Sequence, residues 1–102
     1  MKISVTRSGG YAGLEETATV DTDHADPAVS SEIEELARNA AIFDISQEDL
    51  GEEPIGADLA RYEISVHEGG RHRVIAFQDD GSPAKAPLRT LAERIITIGS
   101  GE

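Results

Sequence analysis

His67-Glu68-Gly69-Gly70-Arg71-His72 is the segment whose residue types most invite a chemical reading. It nearly matches HExxH, in which histidines at i and i+4 share one helical face and bind zinc. Here the histidines stand five apart, and two glycines interrupt any helix. Read as a hairpin, the segment sets His67 and His72 opposite each other across two strands, away from the core side. Such a pair binds metal only adventitiously without further ligands, so an exposed polar pair is expected and no metal site. His24 lies in an Asp-rich turn and is expected at the surface. Glu15 and Glu16 are adjacent in a strand-like run, and side chains there alternate between faces, which excludes a carboxylate dyad. Ser8 has no neighbouring base to activate it. Ser8-Gly9-Gly10 lacks the longer glycine-lysine pattern of a phosphate loop, and Asp79-Asp80-Gly81 is too short for a calcium loop. The sequence is not that of an enzyme.

A different chemistry suits Arg7-Ser8-Gly9-Gly10-Tyr11-Ala12-Gly13. Three glycines in five positions do not belong in a strand interior, where glycine loses the most entropy and packs nothing. Between the runs Lys2–Thr6 and Leu14–Asp21 they read as a hairpin loop whose backbone another molecule can approach closely. For Gly9 and Gly10 a plain tight turn explains the residues equally well.

The elements that would carry this loop follow from periodicity. Ile3 and Val5 alternate with polar residues, and Leu14, Ala18 and Val20 share one face of the next run, giving a first hairpin. Asp26-Pro27 offers an N-cap with proline at the first helical position, and Ser31-x-x-Glu34 is a competing capping box. Val29, Ile33, Leu36 and Ala40 draw one apolar stripe. Ser46 to Asp58 reads as an acidic loop. Arg61–Glu68 and Arg71–Phe77 flank a Gly69-Gly70 turn, pairing Tyr62 with Phe77, Ile64 with Ile75, Val66 with Arg73 and Glu68 with Arg71. Asp79 to Pro83 forms a turn and Pro87 opens a last helix. Leu88, Leu91, Ile95 and Ile98 form its stripe, and Gly99 stands where a C-cap belongs. The order β-β-α-β-β-α predicts an α+β fold, a four-stranded antiparallel sheet with both helices on one face. The richer apolar content of the second hairpin predicts that it forms the sheet's centre.

Composition bounds the rest. The chain has 102 residues, 38% of them hydrophobic, enough for one small domain over residues 1–102. It has no cysteine and no long apolar run, and its start lacks a basic region followed by an apolar stretch. A cytoplasmic protein without membrane spans is therefore expected. Residues 1–60 hold fourteen Asp/Glu and three Lys/Arg, so they carry the whole net charge of −11. Such a surface repels nucleic acid and anionic membranes and steers toward a basic partner, or simply solvates the fold.

The strand before Arg7–Gly13 and the ending Val20-Asp21-Thr22-Asp23 together resemble the emfourin family. The likeness continues through a helix closing in Ala41-Ile42-Phe43-Asp44, a strand containing Tyr62, the Gly69-Gly70 hairpin, and Pro87-Leu88 with Leu91 and Ile95. It spans nearly the whole chain, with Ser8-Gly9-Gly10 its specific part, and leaves out Ser46–Asp58. Emfourins are small bacterial protein inhibitors of thermolysin-like zinc metalloproteases, particularly of the protealysin type. The resemblance implies a protease partner and a protease-binding loop of Arg7, Ser8, Gly9, Gly10, Tyr11, Ala12 and Gly13; separately, no cofactor and a monomer when free are expected. The loop's carbonyls or the Ser8 hydroxyl would face the protease's zinc. Thermolysin-like enzymes favour a bulky apolar residue just after the scissile position, and the residues themselves, not the family, suggest Tyr11 or Leu14 for that pocket. For Tyr11 and Leu14, packing the hairpin onto the core is the competing role. Two other readings remain: an acidic module that binds a basic partner through residues 44–58 and Glu32, Glu34 and Glu35, and a small enzyme or metal carrier using His67 and His72.

Overall fold

The structure, a computed structural model, describes residues 1–9, 15–45, 60–78 and 83–99. Its elements are β1 (Lys2–Gly9), β2 (Glu16–Asp21), α1 (Pro27–Asn39), β3 (Ala60–Glu68), β4 (Arg71–Gln78) and α2 (Ala86–Gly99), with a 3-10 turn at Pro83–Lys85 before α2. This is the expected β-β-α-β-β-α order, and the four strands form one antiparallel sheet.

The second hairpin has the expected register, with Tyr62 opposite Phe77, Ile64 opposite Ile75 and His67 opposite His72. Tyr62 and Phe77 stack with ring centroids 5.3 Å apart. Gly69 takes φ +60° while Gly70 is not left-handed. That combination suits a turn with glycine required only at its first central position.

The strand order is β2-β1-β3-β4. The expected central second hairpin is therefore corrected: β3 is central, but its partner there is β1, and β4 is an edge. Side-chain character accounts for this. β1 brings Ile3 and Val5, both fully buried, to the middle of the core. β4 opens with Arg71-His72-Arg73, and charged residues protect an exposed edge from further pairing. The core face gathers Ile3, Val5, Ala18, Val20, Ile64, Val66 and Ile75 under residues of both helices.

Asp26 caps α1, its side chain accepting from the Ala28 amide at 3.0 Å with Pro27 at the helix start. The box at Ser31 is left inside the helix. The buried stripe of α1 is Ile33 and Ala37, with Val29 and Leu36 only partly covered. The helix ends in a Schellman pattern. Ile42 N–H donates to the Ala37 carbonyl at 3.2 Å and Ala41 N–H to that of Arg38 at 3.0 Å. The left-handed position is filled by Ala41, φ 51°, where glycine is usual.

α2 buries Leu88, Leu91, Ala92, Ile95 and Ile96, a wider stripe than expected, with Ile98 partly buried. Gly99 is its last helical residue and is not left-handed, so its role as a C-cap is corrected. Close approach explains it instead: a Cβ there would lie 2.7 Å from the Ala18 Cβ and 3.1 Å from the Thr19 nitrogen. Arg94 ties the two helices through Glu32 at 2.7 Å. No helix among the described residues is long and apolar enough to cross a membrane.

Candidate functional site

β1 runs further than its glycines suggest. Ser8 and Gly9, expected in the loop, are strand residues paired with Arg61 and Ala60 of β3. Pairing with β2 stops earlier, at Arg7 opposite Glu16. The difference has a topological cause. A strand with neighbours on both sides continues its ladder on one side after the hairpin partner has diverged, and glycine is tolerated at a strand's end. The Ser8 side chain is half-buried and lies on the face of the sheet away from the helices. Gly10, Tyr11, Ala12, Gly13 and Leu14 lie outside the described residues, as do the acidic stretch Ser46–Asp58 and Asp79–Ser82.

Arg7 occupies the core-side face, because alternation from Ile3 and Val5 leads to it. Its Nη2 donates to Glu16 Oε2 at 2.8 Å. Tyr62 stands opposite Arg7 on β3, and the influence of Tyr62, followed by that of Glu16, raises the pKa of Arg7 against the opposing effect of burial. Arg7 is therefore charged throughout any working pH. Any stabilisation it gives is present below the ordinary guanidinium range and would fade only above it.

Register also fixes where the other connections meet the sheet. Gly9 lies beside Ala60, and Arg61 beside Gln78. Gly9, Ala60 and Gln78, the described residues that border the glycine loop, the acidic stretch and Asp79–Ser82 in sequence, thus lie at one end of the sheet. Close to it, Lys85 is buried and donates to the Gln78 carbonyl at 3.1 Å.

The face away from the helices is polar. Ser4 and Thr19 hydroxyls lie 2.9 Å apart and those of Thr6 and Thr17 3.3 Å. His67 and His72 stack there with centroids 3.8 Å apart, both exposed. Ser65 Oγ lies 3.3 Å from His72 Nε2. Among the described residues no group of three or more His, Cys, Asp or Glu is placed to hold a metal ion. His24 is exposed, 3.7 Å from the Asp21 carboxylate.

The opposite end of the sheet carries an open cleft of about 340 Å³ lined by Met1, Glu34, Arg38, Phe43, Glu68 and Arg71, among others. The Arg71 guanidinium sits 4.0 Å over the Phe43 ring and 3.0 Å from Glu68. Signs of charge alternate around this cleft and offer no single ligand chemistry. It is remote from the glycine loop.

Sequence reasoning missed the Glu16–Arg7–Tyr62 row beneath the loop. A signal existed in the alternation Ile3, Val5, Arg7, which places a charge where the next core residue belongs.

The profile of the Emfourin family matches residues 5–95, from the middle of β1, through the glycine loop, to Ile95 in α2. No curated protein and no solved structure matches the chain. The chain belongs to the Emfourin family, a family of protease inhibitors and not of enzymes.

Proposed function

We propose that this protein inhibits a thermolysin-like zinc metalloprotease of the protealysin type, with the hairpin loop Ser8-Gly9-Gly10 entering the active-site cleft. The family match, which includes the whole loop, carries this reading. Its physical basis is that an inhibitor needs a backbone that reaches a cleft, not catalytic groups of its own. Glycines let that backbone approach the partner closely. β1 supports the loop's first stem between two neighbouring strands as far as Arg7. The net charge of −11, concentrated in residues 1–60, steers encounter with a basic surface.

Mixing the purified protein with such a protease and following peptide hydrolysis tests the reading. One-to-one reversible inhibition and a complex on gel filtration are expected. Unchanged turnover at stoichiometric excess, with no complex, rejects it for that protease and favours an acidic module with another basic partner. Two variants separate binding from folding. Gly10→Val is expected to raise the inhibition constant far more than it lowers the melting temperature. Ile64→Ala, a fully buried position, is expected to cost about 2–5 kcal/mol of stability and to leave the inhibition constant of the folded fraction unchanged.

A further inference from the structure

The core face of the sheet is organised in rows with one residue from each strand. Val20, Ile3, Val66 and Arg73 form one row, and Ala18, Val5, Ile64 and Ile75 the next. The third row is Glu16, Arg7, Tyr62 and Phe77. Where the second row is wholly apolar, the third sets a charged pair and a hydroxyl on the same face. It is also the last row in which β1 pairs with both neighbours, so it closes the neck of the glycine loop.

Folding stability alone does not explain this choice. The Arg7 and Glu16 side chains are 34% and 51% exposed, and ion pairs so open to water add little to folding. An apolar residue at position 7 would extend the core. What the charged pair adds is geometry. The guanidinium bonds Glu16, on the stem leading out of the loop, at 2.8 Å, and Tyr62 stands opposite Arg7 on the neighbouring strand. Tyr62 is itself 2% exposed and stacked on Phe77, so it is a fixed point.

We propose that Arg7 is a positioning residue for the inhibitory loop, its guanidinium clamping the loop's two stems to each other and to Tyr62 without itself contacting the protease. This rests on the reading of the glycine loop as the inhibitory element, with residues 8–13 meeting the protease and Arg7 taken out of that contact. A clamped neck matters because ordering a slack loop at the moment of binding subtracts from affinity. A slack loop also adapts to the protease as a substrate does.

The test combines single variants with an exchange. Arg7→Leu and Tyr62→Phe each remove one side of the clamp while keeping the apolar contacts. Each is expected to weaken inhibition about tenfold, the cost of ordering one or two more groups on binding, with little change in melting temperature. Slow cleavage between residues 9 and 15 is expected on prolonged incubation with protease. Arg7→Glu and Glu16→Arg are each expected to fail, and the double exchange to recover most of the inhibition. In it, the carboxylate now at position 7 accepts from both the guanidinium now at position 16 and the Tyr62 hydroxyl. If Arg7 instead touches the protease, the double exchange stays as weak as Arg7→Glu, and the proposal falls. A second readout needs no protease: backbone ¹⁵N order parameters at residues 9–15 of the free protein are expected to drop in Arg7→Leu. Unchanged order parameters overturn the clamp even if inhibition suffers. Should the unaltered protein inhibit no thermolysin-like protease, the functional reading fails and this comparison still decides the clamp.

Discussion

Ala41→Gly is expected to stabilise the protein, against the usual effect of adding a glycine. Ala41 holds φ 51° in the turn that ends α1, and the left-handed conformation costs an L-residue roughly 1–2 kcal/mol. Glycine removes that strain. It also loosens the unfolded chain, which costs about 0.4–1 kcal/mol. Ala41 is exposed, so loss of its methyl subtracts little packing. The amides of Ala41 and Ile42 keep their bonds to the Arg38 and Ala37 carbonyls, and the Ala41 carbonyl still accepts from Asp44 and Ile45, both at 2.8 Å. The net gain is about 0.5–1 kcal/mol, or roughly 2–8 °C in melting temperature for a chain of this size. Thermal unfolding followed by circular dichroism, repeated in urea, measures it. Ala41→Val should move the other way, because a branched side chain suits this conformation worse. Ala41 lines the cleft at the far end of the sheet from Gly9, so neither change should alter inhibition by the folded protein. A clear fall in melting temperature for Ala41→Gly would refute the strain argument and with it the left-handed closure of α1.

Gly69→Ala, at φ +60°, should cost roughly 1–2 kcal/mol, whereas Gly70→Ser, with open space around its Cβ position and no positive φ, should stay within about 0.5 kcal/mol. Urea unfolding of both compares the two turn positions directly. Gly99→Ala should cost about 1–3 kcal/mol through overpacking, since the new Cβ meets Ala18 at 2.7 Å, and Ala18→Gly should recover part of the loss. Neutralising Glu48, Asp49, Glu52 and Glu53 should slow association with the protease and flatten its salt dependence while sparing dissociation. A large rise in dissociation rate would place that stretch inside the contact.

Local order was largely written in the residues, and long-range order was not. The second hairpin was legible because only one register brings Tyr62 opposite Phe77 and Ile64 opposite Ile75. The start of α1 was legible because Asp26 and Pro27 satisfy the capping requirement together. The insertion of β3 beside β1 left no such trace, because hydrophobic alternation says which face a strand buries and not which strand lies next to it. Ala41 was hidden because the rule for helix ends names glycine, and here the downstream hydrogen bonds hold an alanine in that role. Gly99 misled for the opposite reason: glycine at a helix end suggests a cap, and only the proximity of Ala18 reveals its spatial role. At the candidate site, the glycines drew the reading of Arg7 toward the loop, although the β1 alternation already assigned it to the core face.

The strand order bears directly on how such a loop would work. Had the second hairpin formed the centre, β1 would lie nearer an edge and its end would be free to bend. Between β2 and β3, the base of the loop moves only if two ladders open, and buried ladders open rarely compared with edges. Rigidity at the base and glycine at the tip are complementary: the first limits the ordering cost on binding, the second permits close approach. The same order brings the chain into β3 at Ala60, directly beside Gly9. In sequence, the acidic run Ser46–Asp58 ends two residues before Ala60. Charge that attracts a basic surface acts best when it lies within about a Debye length, roughly 8–10 Å, of the contact it promotes. Residues 7–13 themselves carry no carboxylate that binding would have to desolvate.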